Sequence, residues 1–288
     1  MQLLWLQYFV TVAKCESIVQ AARIHEIPQP AMSITMKKLE SELGTMLFDR
    51  LGNRLRLNES GQRFLEYAER SLHTLSDGVA AVTEERNSPS GNVRILLLDS
   101  RSVIIDRIDA FRQRYPKITF TLYTTLSPIS DFEYDLCIAA ENPLPHMMDR
   151  QSALIDEEIL IAMTRDHHLA DKQAIGLNEL RHERLAMFPR HTSLAALCAD
   201  ACSAQGLALQ PDFVCDDPFY IRRYVERGDG VTFAPAVSWQ GLFSNTIRLL
   251  HVRGVDLHRT IYVHWSKDKF LPFAARAFLQ DLRDMHLY

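Results

Sequence analysis

The chain has 288 residues and a formal net charge of −4, with 47% hydrophobic and 24% charged residues. That is the balance of a globular protein with room for two or three modules. No apolar run is long enough for a membrane span of ~18 residues or more, and the acidic balance gives a nucleic-acid reading no support from bulk charge. The first 60 residues carry seven basic against six acidic side chains, so any such reading must come from pattern. The N-terminal stretch has neither a basic leader nor a small-residue cleavage site, which leads us to expect a cytoplasmic protein. Five cysteines, an odd number without a Cys-x-x-Cys pair, read as buried reduced thiols.

Leu3, Leu6, Phe9, Val10 and Ala13 recur at helical spacing and give a first helix one apolar face. Ser17 is placed to cap a second helix over Ile18–Ile24, whose Ala21-Ala22 pair admits a close neighbour. Ile27-Pro28-Gln29-Pro30 breaks that helix, and Pro30 fits the first turn of the next. Met32, Met36, Leu39 and Leu43 then mark a buried face, opposite Gln29, Ser33, Ile34, Lys37 and Lys38. Two helices joined by a tight turn, the second with short polar and basic residues outward, form a helix-turn-helix for the major groove of double-stranded DNA. Gln and Ser suit base edges, and Lys suits phosphates. After Gly44, the segment Asn53–Asn58 predicts a short wing strand with Arg54 and Arg56 on one face and Leu55 and Leu57 on the other. The paired arginines would reach phosphates or the minor groove.

Ala21-Ala22, Gln29-Pro30-Ala31-Met32-Ser33, Leu39-Glu40, Leu43-Gly44, Leu47-Phe48-Asp49-Arg50 and Leu57-Asn58-Glu59-Ser60-Gly61 stand in one order and spacing. In these residues the chain resembles the LysR-type transcriptional regulators. Three positions depart from the family pattern: Pro28 replaces a serine cap, Ile34 a basic residue, and Asn58 a threonine. The resemblance implies a non-enzymatic regulator with DNA contacts at Gln29, Pro30, Ser33, Ile34, Lys37, Lys38, Arg54 and Arg56. The alternative read from helical spacing alone is a three-helix bundle without a DNA role.

Asn58 can cap a helix running to about Arg86, with Glu59 in its first turn. Leu65, Ala68, Leu72, Leu75, Val79 and Val82 alternate at spacings of three and four, a coiled-coil seam. A second copy is the expected partner, and packing on the chain's own C-terminal domain is the alternative. The resemblance implies a dimer through this linker, paired again into a tetramer on an interrupted palindrome. Asn87-Ser88-Pro89-Ser90-Gly91 reads as a hinge. The expected division is residues 1–58 for the winged helix-turn-helix, 59–90 for the linker and 91–288 for an effector domain.

Beyond the hinge, strands and helices alternate. Val93–Leu98, Ile118–Tyr123, Tyr134–Ala139, Glu158–Met163, Arg184–Phe188, Phe213–Cys215, Val231–Phe233 and Arg259–Trp265 are expected strands. Ile104, Ile108 and Phe111 mark one helix, Leu194, Leu197 and Ala201 a second, Ile221 and Val225 a third, and Phe273, Ala277, Phe278 and Leu282 a last. The alternation predicts a parallel sheet with helices on its faces. Phe111–Pro116, Tyr134-Asp135-Leu136 and Gly228–Pro235 resemble the same family's effector domain. That implies a two-lobed α/β fold like a periplasmic binding protein, with lobe one about 91–161 plus 267–288 and lobe two about 162–266. The whole is thus an α+β multidomain chain. Only ten residues, Thr124 to Glu133, separate the second and third strands where the family fits a full helix, which predicts a cleft that is unusually open or that binds something atypical.

Ligands in such folds sit at strand carboxyl ends against helix N-termini. Ser100, Ser102, Arg190, Thr192 and Ser193 occupy those positions and favour a small anionic effector; the alternative is that the hydroxyls are ordinary helix caps. No metal-ligand spacing, P-loop, Gly-x-Gly-x-x-Gly or Gly-x-Ser-x-Gly motif is present, so no cofactor is expected. Two other readings are a cytoplasmic small-molecule-binding protein or enzyme with a helical assembly segment, and a redox-sensing regulator using Cys198, Cys202 or Cys215.

Overall fold

The computed structural model describes residues 1–51, 54–83, 90–126, 134–267, 269 and 271–285. The chain divides close to residue 90 into two compact units.

The N-terminal unit contains α1 (Leu3–Cys15), α2 (Ile18–Ile24), α3 (Gln29–Leu43), β1 (Phe48–Leu51), β2 (Arg54–Leu57) and α4 (Glu59–Thr83). Phe9, Val12, Ala21, Ala22, Met32, Met36 and Leu39 form its core, and Phe9 meets Phe48 edge-on. The Ser17 hydroxyl accepts the Gln20 N–H, the cap its position predicts. Pro28 precedes α3 and offers no side-chain cap. Glu40 is buried and its Oε1 accepts the amides of Leu47 (2.8 Å) and Phe48 (3.3 Å), tying the end of α3 to the start of the wing. β1 and β2 pair antiparallel, with Asp49 opposite Arg56.

Asn58 caps α4 as expected, its Oδ1 accepting the Gly61 N–H at 2.8 Å. Its Nδ2 also donates to Met46 O, so asparagine holds helix and wing turn together. Gly61 is required by contact: a Cβ there would lie 2.1 Å from Leu47 O. The apolar stripe of α4 does not act as one seam. Leu65 and Ala68 are buried and Leu72 half-buried, all in the core of the unit's own helices, and Glu69 pairs with Lys14 of α1 at 2.8 Å. Among the stripe's described side chains, Leu75 and Val79 stand exposed. The Val82 side chain and residues 84–89, including the first three residues of the predicted hinge at 87–91, lie outside the described residues.

The C-terminal unit contains β3 (Gly91–Leu97), α5 (Arg101–Arg114), β4 (Ile118–Tyr123), β5 (Leu136–Ala139), β6 (Arg150–Thr164), β7 (Ala174–Gly176), a 3-10 turn over Leu177–His182, and β8 (Leu185–Met187). It continues with α6 (Ser193–Ala204), β9 (Phe213–Val214), α7 (Pro218–Glu226), β10 (Val231–Pro235), β11 (Ile247–Arg253), β12 (His258–Trp265) and α8 (Phe273–Arg283). Among the described residues the strands join in the order β4-β3-β5-β12-β6-β10-β8-β9, with β11 on β6 and β7 on β11. The sheet is mixed, which corrects the expectation of a parallel one. β4-β3-β5 and β10-β8-β9 are parallel, but β12 and β6 run antiparallel to their neighbours.

β6 makes the two lobes one structure. Residues 150–158 of it pair with β12, and residues 159–164 pair with β10 and β11. The alternation of the sequence reveals only its buried second half, because the first half carries exposed Arg150 and Gln151. β11 also escapes the sequence pattern, since Arg248, Leu249, His251 and Arg253 face solvent. Lobe one is fastened by Asp135, whose carboxylate takes the backbone N–H, Nε and Nη2 of Arg94 at 2.9, 3.1 and 2.7 Å. In lobe two, Gly228 turns at φ +75° and Gly230 lies so close to Arg184 O that a Cβ would come within 2.3 Å. These contacts account for Asp135 and for the glycines of Gly228-Asp229-Gly230.

Candidate DNA-reading surface and effector cavity

On α3 the predicted residues form one outward face. Gln29, Pro30, Ile34, Lys37 and Lys38 are exposed and Ser33 is half-buried, while Met32, Met36 and Leu39 point into the core. Lys37 and Lys38 make no ion pair among the described residues, so their charges are available to phosphates. Ile34 is 54% exposed, an apolar side chain on a polar face. In the wing, Arg56 is exposed while Leu55 and Leu57 pack against the core. The side chain of Arg54 lies outside the described residues.

In the C-terminal unit a cavity of about 970 Å³ opens where both lobes meet the β6–β12 pair. Four of the five predicted effector residues line it: Ser100, Ser102, Thr192 and Ser193. Arg190 does not; it is exposed and lies outside the lining. Sequence proximity to the α6 N-terminus suggested it, but Arg190 stands within a turn closed by the Thr192 N–H on Pro189 O, before the helix begins. Thr124, Thr125 and Leu126 also line the cavity, and the rest of the shortened segment, 127–133, lies outside the described residues.

Neither hydroxyl at the head of a helix is a cap. Thr192 donates its hydroxyl proton to Pro189 O, and Ser100 caps nothing on α5. Ser100 instead sits in the left-handed region at φ +54°, a conformation costly for a residue with a Cβ. There its Oγ lies 2.6 Å from the Ser238 Oγ of lobe two. The proton directions follow from the partners. Glu157 accepts from Val237 N, Ser238 N, Ser238 Oγ and Arg259 Nε, so its carboxylate serves only as acceptor. Ser238 therefore spends its one proton on Glu157, and Ser100 donates to Ser238.

Arg259 completes the floor. It stands opposite Glu157 across β12 and β6, bonds it at 2.8 Å and reaches Asp99 at 3.0 Å. Asp99 also accepts the Ala140 N–H. Glu157 is fully buried and the Arg259 side chain is 8% exposed, so the pair is held where an unpaired charge would be costly. Sequence reasoning missed Asp99, Glu157, Ser238 and Arg259. The legible signal was Arg259, which shares a strand face with buried Ile261 and Val263.

Arg222 of α7 also lines the cavity and was missed. Its guanidinium lies 5.4 Å from the ring centre of Trp239. Ile221 and Val225 face the core, which sets Arg222 nearer the interior than Arg223, and Arg223 turns outward to Glu226. That periodicity was a usable signal.

The other chemistries fare differently. Cys198 and Cys202 are buried in the lobe-two core and free of disulfides. Burial pushes the Cys202 thiol up to about 11 and that of Cys137 to about 12, and raises Cys198 further still. Burial of this kind disfavours the thiolate at Cys198 and Cys202, while Cys215, the third cysteine of the redox reading, is half-buried. His167 and His168 both reach Glu183, at 3.2 and 3.1 Å. The Leu169 N–H donates to Nδ1 of His167, which leaves that ring's proton on Nε2 facing Glu183.

An N-terminal winged helix-turn-helix with a free basic and polar reading face, joined to a two-lobed α/β unit with a cavity between its lobes, defines a ligand-responsive DNA-binding protein. Residues 3–62 match the bacterial regulatory helix-turn-helix protein model of the lysR family, and residues 86–286 match the LysR substrate binding domain. The chain belongs to the LysR family of transcriptional regulators. It is 28% identical over 286 residues to the uncharacterized HTH-type transcriptional regulator YybE of Bacillus subtilis, covering 96% of each chain. It is 24% identical to the transcriptional dual regulator GltC of the same organism, over 97% of this chain and 96% of that one. Its fold matches a full-length, singly substituted OxyR from Pseudomonas aeruginosa with a TM-score of 0.74 and 20% identity, over 99% and 94% of the two chains. Full-length CbnR in complex with its target DNA matches with a TM-score of 0.73 and 21% identity, over 99% and 100%.

Proposed function

We propose that α3 reads base edges of an interrupted palindrome through Gln29, Ser33 and Ile34, with Lys37, Lys38, Arg54 and Arg56 on phosphates and Pro30 setting the entry angle of the helix. The observation that carries this is the free outward face of α3, whose charged side chains have no partner among the described residues. Ile34, where the family pattern has a basic residue, suits an apolar contact with a thymine methyl. The exposed Leu75 and Val79 of α4 support a dimer through the second half of the linker helix, and two such dimers make the tetramer that spans a long site. The regulator works in the cytoplasm and is not an enzyme.

A small-molecule effector occupies the cavity between the lobes. Ser102 and Ser193 with the uncapped first turns of α5 and α6 supply hydrogen-bond donors there. The lobes meet through the Ser100–Ser238 bond, so a ligand that breaks or reinforces this bond shifts the lobe equilibrium and, through it, DNA affinity. Fluorescence anisotropy on a promoter fragment tests the DNA half. Each phosphate contact contributes about −0.9 to the slope of log affinity against log salt, so Arg56→Ala flattens the slope by about 1 on every sequence. An unchanged slope removes Arg56 from the interface.

A further inference from the structure

We propose that Arg222 is the anion receptor of the inter-lobe cavity, and that the effector is a monoanion whose one oxyanion group is joined to a flat apolar body. This rests on the reading of that cavity as the effector site.

Three arginines line the cavity, and two are committed. Arg259 is bound to Asp99 and Glu157, and Arg101 donates to Thr124 O. Arg222 makes no hydrogen bond or ion pair among the described residues, although Asp217 and Glu226 lie in its field. Asp217 is occupied by the Phe219 N–H, and Glu226 by Arg223 and Ser244 N. A guanidinium carries five donors in a rigid fork, and this one lies 5.4 Å from the Trp239 ring centre with no hydrogen-bond acceptor among the described residues. A contact of this kind with a ring consumes none of those donors, and a carboxylate or sulfonate can take two of them at once. Burial makes the charge of Arg222 harder to hold, which a bound anion would relieve.

The rest of the lining chooses among anions. Phe188, Trp239 and Leu242 pack together in the lining near Arg222, and Phe219 of the lining is 53% exposed, which leaves a large apolar surface uncovered. A flat hydrocarbon body would cover it. Asp106, Glu141 and Asp216 also line the cavity, are exposed, and have no hydrogen bond or ion pair among the described residues. With five carboxylates against three guanidiniums in the lining, each further negative charge on a ligand meets repulsion. A monoanion gains Arg222 and avoids that cost; a phosphate ester or pyrophosphate does not.

The test uses the full-length protein and two fluorescent probes of nearly the same shape: 8-anilinonaphthalene-1-sulfonate, a monoanion, and uncharged N-phenyl-1-naphthylamine. Arg222→Gln should weaken the sulfonate at least tenfold, leave the neutral probe within twofold, and leave the melting temperature unchanged; Arg222→Lys should recover part of the loss. Ser193→Trp, which intrudes on the cavity, should weaken both probes at least tenfold while cooperative melting persists. Benzoate should displace the sulfonate better than equimolar pyrophosphate. If Ser193→Trp leaves both probes bound as tightly, or neither binds the wild type, the cavity reading fails and the proposal with it. If Ser193→Trp weakens both but Arg222→Gln changes neither, the cavity stands and Arg222 is not the receptor. If pyrophosphate displaces better than benzoate, the ligand is not a monoanion.

Discussion

The DNA-reading face and the effector cavity are built in opposite ways. The reading face is one helix: Gln29 to Lys38 are within ten positions, and their geometry follows from 3.6 residues per turn. The cavity floor joins Asp99, Ser100, Glu157, Ser238 and Arg259, which span 160 positions and meet only when β3, β6, β10 and β12 have formed the sheet. A site of the first kind survives local change as long as its helix is anchored. A site of the second kind has the stability of its charge network, and each member supports the others.

Arg259→Met should have the largest effect. It strands two carboxylates, one of them fully buried, and should cost the C-terminal unit about 3–5 kcal/mol. Thermal melting should show an early transition for that unit, with the N-terminal unit unaffected. A single unshifted transition would mean that the floor contributes nothing. Gly61→Ala is the counterpart in the N-terminal unit. Its Cβ would press on Leu47 O, a backbone atom that cannot step aside, at a cost of about 1–3 kcal/mol. Here the expected early transition belongs to the N-terminal unit, and promoter affinity should fall with it. Wild-type melting and affinity would deny that α4 and the wing turn are in close contact.

Ser100→Ala should be gentler. It removes one hydrogen bond between lobes, worth about 1 kcal/mol, and leaves Ser238 still bonded to Glu157. Because the bond links the lobes, this substitution should shift the salt-corrected DNA affinity or its effector response more than it shifts melting. Equal small shifts in both would make Ser100 merely structural.

The smallest effect is pH dependence. His264 is buried, its Nδ1 has no partner among the described residues, and its Nε2 faces Ala139 O at 3.3 Å. Burial lowers its pKa, outweighing the carbonyl that raises it. The unfolded chain therefore binds a proton more readily than the folded one. Stability from this group is complete above the ordinary histidine range near ~6.5 and is lost as pH falls through it toward the lowered folded value. His264→Phe should flatten that acid-side slope. An unchanged slope assigns the titration to other groups.

The same contrast explains what could be read from the chain alone. Helix spacing and capping residues located α1 to α4, and Asn58 and Ser17 cap as their types dictate. The linker stripe was visible but its destination was not. Leu65 and Ala68 carry the same spacing as Leu75 and Val79, and only the packing against α1 tells them apart. In the C-terminal unit, strand propensity found most strands yet gave no direction, so β6 and β12 were not recognised as the antiparallel pair joining the lobes. Arg190 was chosen because it precedes a helix, whereas the free guanidinium belongs to Arg222, over thirty positions later. Sequence neighbourhood stands in poorly for cavity neighbourhood when the lining comes from both lobes.

Whether α3 reads DNA is tested by a footprint of the purified protein on the region upstream of its own gene. The account predicts protection over an interrupted palindrome that disappears for the doubly substituted Ser33→Ala, Lys37→Ala protein while its fold and oligomeric state are retained. Protection that persists in that variant, or none by the wild type on any fragment of a random genomic library at low salt, would contradict it.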